Sequence, residues 1–366
     1  MFGTFLLIAF TALQLYVFWR AASVPLIAHR FSGKLLVVTG LILWVSFLLS
    51  HFFERSIGGT LAETLGFIGM TWLAVLFLSS VCLLAVDIFT GFGFLMPRQA
   101  PSLRGWALIV GAILSVIALV QGLRPPVMQD YEVRLTGLPR ESDGMVLVAV
   151  SDLHLGELLG ERWLEARVTQ IQSQRPDLVV LLGDILEGHG RPEEGMLSLL
   201  RRISAPLGVW AVNGNHESFG RRTDNLHMLE KSGIEVLNNC WVELRPGLVL
   251  AGVDDLTRRR RSGQSGDPIG QALAGRPPGA TIFLSHTPWQ AEAAAGAGAG
   301  LMLCGHTHAG QIWPFGYLVR LRYPLLEGRY QVGDMAVIVC RGTGTWGPRM
   351  RLWRPGEILR IKLRSG

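Results

Sequence analysis

Four stretches in the first third of the chain contain no Lys, Arg, Asp or Glu: Phe2 to Trp19, Leu35 to Phe53, Leu65 to Val86 and Trp106 to Leu123. A helix needs about 20 apolar residues to cross a hydrocarbon core, where its backbone must satisfy its own hydrogen bonds. Tyr16, Trp19, Trp44, Trp72 and Trp106 fall within or near the ends of these runs, as interfacial aromatics do. The first run has no basic segment before it and three more runs after it, which favours a membrane span over a cleaved signal peptide. From residue 145 the pattern changes. Short apolar runs, Met145–Val150, Leu178–Leu182, Val209–Val212, Leu248–Val253, Thr281–Leu284 and Leu301–Cys304, each end in a polar cluster. Such runs suit buried strands, and the stretches Trp163–Gln174 and Met196–Ile203 between them have helical spacing. The pattern predicts a four-span transmembrane anchor over 1–123, a linker with the strand leading inward over 124–144, and an α/β domain over 145–366.

Charge supports the division. The first 123 residues carry six basic side chains (Arg20, Arg30, Lys34, Arg55, Arg98, Arg104) and three acidic ones (Glu54, Glu63, Asp87). The whole-chain values, 49% hydrophobic, 17% charged and a mean hydropathy of +0.34, average two unlike parts. The net charge of +6 is mild and only Arg258–Arg261 is a dense basic run, so no nucleic-acid partner is expected. The middles of the runs hold no ionisable residue, which favours an anchor in contact with membrane lipids over a transporter. Five basic residues on one set of loops (Arg20, Arg30, Lys34, Arg98, Arg104) face four on the other (Arg55, Arg124, Arg134, Arg140). That count leans toward an extracytoplasmic C-terminal domain on a multi-pass membrane protein. Cys82, Cys240, Cys304 and Cys340 have no Cys-x-x-Cys spacing and read as free thiols.

The polar clusters carry the chemistry. Five of the nine histidines (His154, His216, His286, His306, His308) stand at strand ends with Asp152, Asp184 and Asn215. Imidazole and carboxylate are common ligands of catalytic divalent metals, and seven candidates exceed the needs of one tetrahedral ion. Two ions sharing a carboxylate would use them all.

Taken in order, Asp152-x-His154, Gly183-Asp184, Gly214-Asn215-His216-Glu217, His286 and Gly305-His306-x-His308 resemble the calcineurin-like metallophosphoesterases. Gly305 to Pro314 and Arg341-Gly342-Thr343-Gly344-Thr345 resemble their membrane-associated bacterial branch. The resemblance implies a sandwich of two sheets flanked by helices and a phosphodiester or pyrophosphate hydrolase. Its substrate would be a lipid-linked or cell-envelope phosphoester. It also implies a first metal on Asp152, His154, His308 and Asp184, and a second on Asp184, Asn215, His286 and His306. Four imidazoles suit Mn, Fe or Zn better than Mg. A metal-bridging hydroxide would attack phosphorus, with His216 as general acid and Glu217 structural or second to the ligands. The chain departs from the family in Gly183-Asp184-Ile185-Leu186-Glu187-Gly188. There Glu187 replaces the Asp that orients the histidine, and the Arg that follows in protein phosphatases is absent. His189 is a candidate replacement for that Arg.

Outside the motifs, Arg258, Arg259, Arg260 and Arg261 lie in what reads as a Gly/Ser-rich loop, either solvated or gripping an anionic headgroup. Trp313, just after the metal block, reads as a lip for an acyl chain or a uracil ring, or as core. Two other functions stay open at this point: a phosphodiesterase of soluble nucleotides, and a non-catalytic membrane sensor with a vestigial metal site.

Overall fold

The computed structural model describes residues 2–56, 60–156, 158–187, 194–217 and 228–366; His189 lies outside them. The chain divides into two compact units, residues 1–124 with 347–353, and residues 125–346 with 354–366.

The first unit is helical: α1 (Phe2–Ala22), α2 (Pro25–Arg30), α3 (Gly33–Ser56), α4 (Thr60–Phe89) and α5 (Ala100–Leu123). Among the described residues, three helices are long and apolar enough to cross a membrane, Thr4–Ala22, Thr64–Phe89 and Ala100–Leu123. The expected fourth, Leu35 to Phe53, lies on α3, whose described apolar part, Gly33–Leu49, is shorter. The count among the described residues is thus three rather than four, and the last part of the expected fourth span, from residue 50, lies outside the described side chains. Phe10, Val17, Phe47, Leu76, Leu83 and Ala107 form the core between the helices. Leu15, Val37, Ile88, Ile113 and Val116 are exposed, and apolar side chains on the outside of a bundle suit a lipid solvent.

Burying apolar faces does not explain the charges at the helix ends. Arg20 at the end of α1 and Arg104 at the start of α5 both pair with Asp87 near the end of α4, at 2.6 and 2.9 Å. The Tyr16 hydroxyl donates to Asp87 Oδ2 at 2.7 Å. All three charged side chains are buried. One carboxylate thus ties three helices at one end of the unit.

The second unit is two six-stranded sheets face to face. The first has the order β1 (Val127–Leu135), β12 (Glu357–Ser365), β2 (Val146–Val150), β3 (Leu178–Leu181), β4 (Val209–Ala211), β5 (Glu235–Val236). The second runs β10 (Gly328–Val332), β11 (Met335–Val339), β9 (Leu301–Cys304), β8 (Ala280–Leu284), β7 (Leu248–Gly252), β6 (Cys240–Arg245). Side chains alternate between faces along each strand. Leu147, Ala149, Leu178 and Val180 meet Leu248, Leu250, Ile282, Leu284, Leu301 and Leu303 between the sheets. Their neighbours Val148, Val150, Val179 and Leu181 face outward onto the helices α6 (Glu161–Gln172) and α7 (Glu194–Leu200) through Leu164, Val168, Leu197 and Leu200. On the far side Ala251, Phe283, Met302 and Val337 pack on Ile269, Ala272, Ala291 and Ala294 of two short helices. The result is a helix–sheet–sheet–helix sandwich, the α/β class expected.

Strand direction places the chemistry. β2, β3 and β4 are mutually parallel, and so are β7, β8 and β9. All six carry their polar clusters at the carboxyl end, where parallel sheets present ligands. Four cysteines are free; Cys304 and Cys340 are buried, whereas Cys240 is exposed.

Replacing Asp87 with Ala strands two buried guanidiniums, a loss of about 3–5 kcal/mol where one partner of a buried pair is removed. The detergent-solubilised variant is expected to melt at a clearly lower temperature than wild type. An unchanged melting temperature would show that Asp87 does not tie the helices.

Candidate metal centre

Each strand-end loop turns sharply to present its side chain. Asp152, His154, Asp184, His306 and His308 all adopt positive φ, between 46° and 70°. Non-glycine residues rarely hold that conformation unless the surroundings enforce it, and such strain collects at functional sites. Two glycines permit the close approach. Gly183 has φ +87°, and a Cβ there would lie 2.6 Å from Gly214 N and 2.7 Å from His286 Nδ1. A Cβ on Gly214 would meet the Asp184 carboxylate.

The candidate ligand atoms fall in three overlapping groups, and the one made of His154, Asp184 and His216 lies between the other two. In the first, Asp152, His154 and His308 converge: His308 Nε2 is 3.3 Å from Asp152 Oδ1 and 3.2 Å from His154 Nε2. In the second, Asp184, His286 and His306 converge: His286 Nε2 is 3.3 Å from Asp184 Oδ2 and 3.1 Å from His306 Nδ1. Asp184 Oδ2 is also 3.8 Å from His154 Nε2, so it stands between the groups.

These residues fit cations. Two imidazole nitrogens facing each other at 3.1–3.2 Å match the spacing of adjacent ligands around an ion with bonds of about 2.1 Å. The buried Oδ1 atom of Asn215 has no hydrogen-bond partner among the described residues, and that of Asp152 has only the His308 ring nitrogen at 3.3 Å. Burying such oxygens without a partner is costly, and a metal ion is a partner that removes the cost.

Neighbouring groups orient the rings. His286 Nδ1 lies 2.7 Å from the Leu182 carbonyl, so it carries the proton and leaves Nε2 free as a lone pair. Glu187 does the same for His154, with Oε2 at 2.7 Å from Nδ1, and its Oε1 is 3.0 Å from His216 Nδ1. One carboxylate therefore positions both a ligand and His216, although it is a Glu where the family has Asp. Ser151 Oγ donates to Asp152 Oδ2, and His306 N–H donates to the same oxygen at 3.1 Å. Glu217 holds no candidate ligand side chain. Its oxygens accept the backbone N–H groups of Asp184, Ile185, Leu186 and Gly214 at 2.6–3.0 Å.

Charge follows from burial and proximity. Burial would raise the Asp152 and Asp184 carboxyls, but His308 beside the first and His286 beside the second hold both below the usual range. Burial would likewise raise Glu187, yet His154 and His216 pull it down. Burial lowers His216, but Asp184, Glu187 and Glu217 outweigh it and push it up to about 9. Glu217 is raised, by burial first and then by Asp184, against its backbone hydrogen bonds.

The arginine run is a helical turn, Leu256–Arg261, rather than the loop expected. Asp255 caps it by accepting the N–H groups of Thr257 and Arg258. Arg258 pairs with Asp254 at 2.7 Å, Arg259 donates to Ser265 O, and Arg260 lies over the Trp289 ring. Arg261 is exposed. Trp313 is 37% exposed, so it is not core. Tyr323 escaped sequence reading: its hydroxyl is 2.7 Å from His306 Nε2. It lies 15 residues past His308 in no recognisable motif, and only the fold brings it back.

Residues 145–310 match the family model described as calcineurin-like phosphoesterase. A transmembrane protein with metallophosphoesterase domain from Danio rerio is 34% identical over 71% of this chain and 62% of its own length. This chain thus spans somewhat under two thirds of that relative. A metallophosphoesterase of Campylobacter jejuni is 30% identical over 71% of this chain and 69% of its own. One from Helicobacter pylori is 30% identical over 73% of each. Strand-end ligands in family order, on a two-sheet sandwich, agree with these relatives: the chain belongs to the calcineurin-like metallophosphoesterases, hydrolases of phosphoesters.

Proposed function

We propose that the protein is a membrane-anchored, dinuclear phosphoesterase that cleaves a phosphodiester or pyrophosphate bond in a lipid-linked or cell-envelope substrate. The observation that carries the reaction is Asp184, whose Oδ2 lies within 4 Å of His286 and His154, one from each ligand group. In this reading Asp152, His154, His308 and Asp184 hold one ion, and Asp184, Asn215, His286 and His306 the other. Imidazole-rich sets favour Mn, Fe or Zn over Mg. Bound there, two divalent cations supply a water of lowered pKa and neutralise phosphoryl charge.

The chain's own residues do the rest. His216, half-buried and fixed by Glu187, is placed to give a proton to the leaving oxygen. Its backbone N–H donates to Asp184 Oδ1 at 2.8 Å, which couples its position to the shared ligand.

The lipid part rests on a separate observation. Directly after the metal motif, Trp313, Phe315, Leu318 and Leu321 are exposed, Leu321 to 83%, on and before the helix Gly316–Arg322. Exposed apolar clusters beside a site mark surfaces that meet apolar ligands or membranes. The apolar helices of the first unit agree with a membrane location.

In detergent with Mn, wild type is expected to hydrolyse bis-p-nitrophenyl phosphate, and chelation should abolish turnover. Replacing His216 with Asn should lower kcat by about 10²–10⁴-fold, the usual worth of a general acid. An active His216→Asn enzyme would remove that residue from the chemistry. Glu187→Gln should cost about 10–100-fold in activity, as losses of ligand-orienting carboxylates do; no loss would show that His154 and His216 orient themselves. Glycolipid phosphodiesters in micelles should give higher kcat/KM than soluble nucleotide phosphodiesters, and the reverse order would assign the site to nucleotides.

A further inference from the structure

Beside the second ligand group, three loops build a wall of aromatic rings and guanidiniums. His306 turns Nδ1 toward His286, and its Nε2 meets the Tyr323 hydroxyl at 2.7 Å. With Nδ1 committed as a lone pair, the neutral ring carries its proton on Nε2 and donates it to the Tyr323 oxygen. The phenolic O–H is then directed away from His306. The Tyr323 ring stacks on Trp289, with centroids 5.3 Å apart and planes 16° from parallel. Over Trp289 lie two guanidiniums, Arg322 at 4.4 Å and Arg260 at 5.6 Å from the ring centroid. Trp289 comes from the loop after β8, Arg260 from the helical turn after β7, and Arg322 and Tyr323 from the helix end after β9. Three adjacent parallel strands thus deliver the wall to the edge of the centre.

The arginines differ from the others near the site. Arg258 is neutralised by Asp254, and Arg341 by Glu357. Arg260 and Arg322 have no carboxylate partner among the described residues, and both are exposed. An aromatic ring holds a guanidinium in place without cancelling its charge and leaves its N–H edge free. A planar fork of N–H donors is the group that matches phosphate oxygens in pairs.

We propose that Arg260 and Arg322, held on Trp289, form a subsite for a second phosphoryl group that the substrate carries beyond the scissile phosphate. The inference rests on the phosphoesterase reading and deepens it: the preferred substrates bear two phosphoryl groups, and the arginines choose among phosphoesters by the far one. Tyr323 acts as a positioning residue, receiving the His306 proton and bracing Trp289.

The test is calorimetric. Full-length protein in detergent, loaded with Mn, is titrated with pentylphosphonate and with propane-1,3- and pentane-1,5-bisphosphonate. Wild type is expected to bind one of the bisphosphonates at least about tenfold more tightly than the monophosphonate, as paired charge-assisted hydrogen bonds allow. In Arg260→Gln/Arg322→Gln the ratio should collapse to about the twofold of having two equivalent ends. Arg260→Lys/Arg322→Lys, which keeps charge without the planar fork, should fall between. The single Gln variants should give intermediate ratios and carry the test if the double variant does not fold. A wild-type ratio of two or less, or an undiminished ratio in the Gln variants, overturns the subsite while leaving the phosphoesterase reading standing. Wild type that binds neither ligand overturns both.

Discussion

Glu217 is the constraint on which the centre depends. Its carboxylate is buried and accepts four backbone N–H groups, three from the loop after β3 and one from the loop after β4. Those two loops carry Asp184, Glu187, Asn215 and His216. Their backbones approach closely enough that a Cβ on Gly183 or Gly214 would collide. Four amide dipoles converging on one anion offset much of the cost of burying it. Without that anion the amides would be buried and unpaired, and the shared ligand would lose its fixed position. Asp184 in turn accepts the His216 N–H, so the clamp reaches the proposed acid through one further hydrogen bond.

Strain is distributed to match. Five of the seven proposed ligands hold positive φ, a conformation disfavoured for any side-chain-bearing residue. Sheet pairing enforces it. Asp152 N–H bonds to Gly183 O and His154 N–H to Asp184 O, so the strained loops extend the β2–β3 ladder beyond the strands. Rigid parallel strands thus carry the energetic cost of aiming ligands that flexible loops would let relax. The helical unit uses the same device in another solvent, with Asp87 between Arg20 and Arg104 as the polar knot of an otherwise apolar bundle.

The six central strands were legible because buried parallel strands read as unbroken apolar runs, and each run ended in a polar cluster, five of the six bearing candidate ligands. The flanking strands were not. β1 and β12 mix charged and apolar residues, as in Val127-Met128-Gln129-Asp130 and Leu359-Arg360-Ile361-Lys362, because one face is partly solvated. β5 is two residues long and carries no periodicity. The candidate ligands that the fold brings together were visible through motif order. Glu217's task was not, since a clamp on backbone amides leaves no signature in side-chain pattern. Trp289 and Tyr323 were invisible for another reason: 34 residues separate them, and only the adjacency of β8 and β9 brings their rings together. The arginine run was misread because Gly and Ser follow it, whereas the cap that makes it helical, Asp255, precedes it.

In the proposed centre, strand-end side chains from two sheets hold two ions through one shared carboxylate. Elemental analysis of protein purified and dialysed in the presence of Mn tests it most directly. Two metal ions per chain are predicted in wild type, falling to one or none in Asp184→Asn while the circular dichroism spectrum stays the same. Wild type that retains no metal, or an Asp184→Asn chain that still holds two ions, would contradict the account.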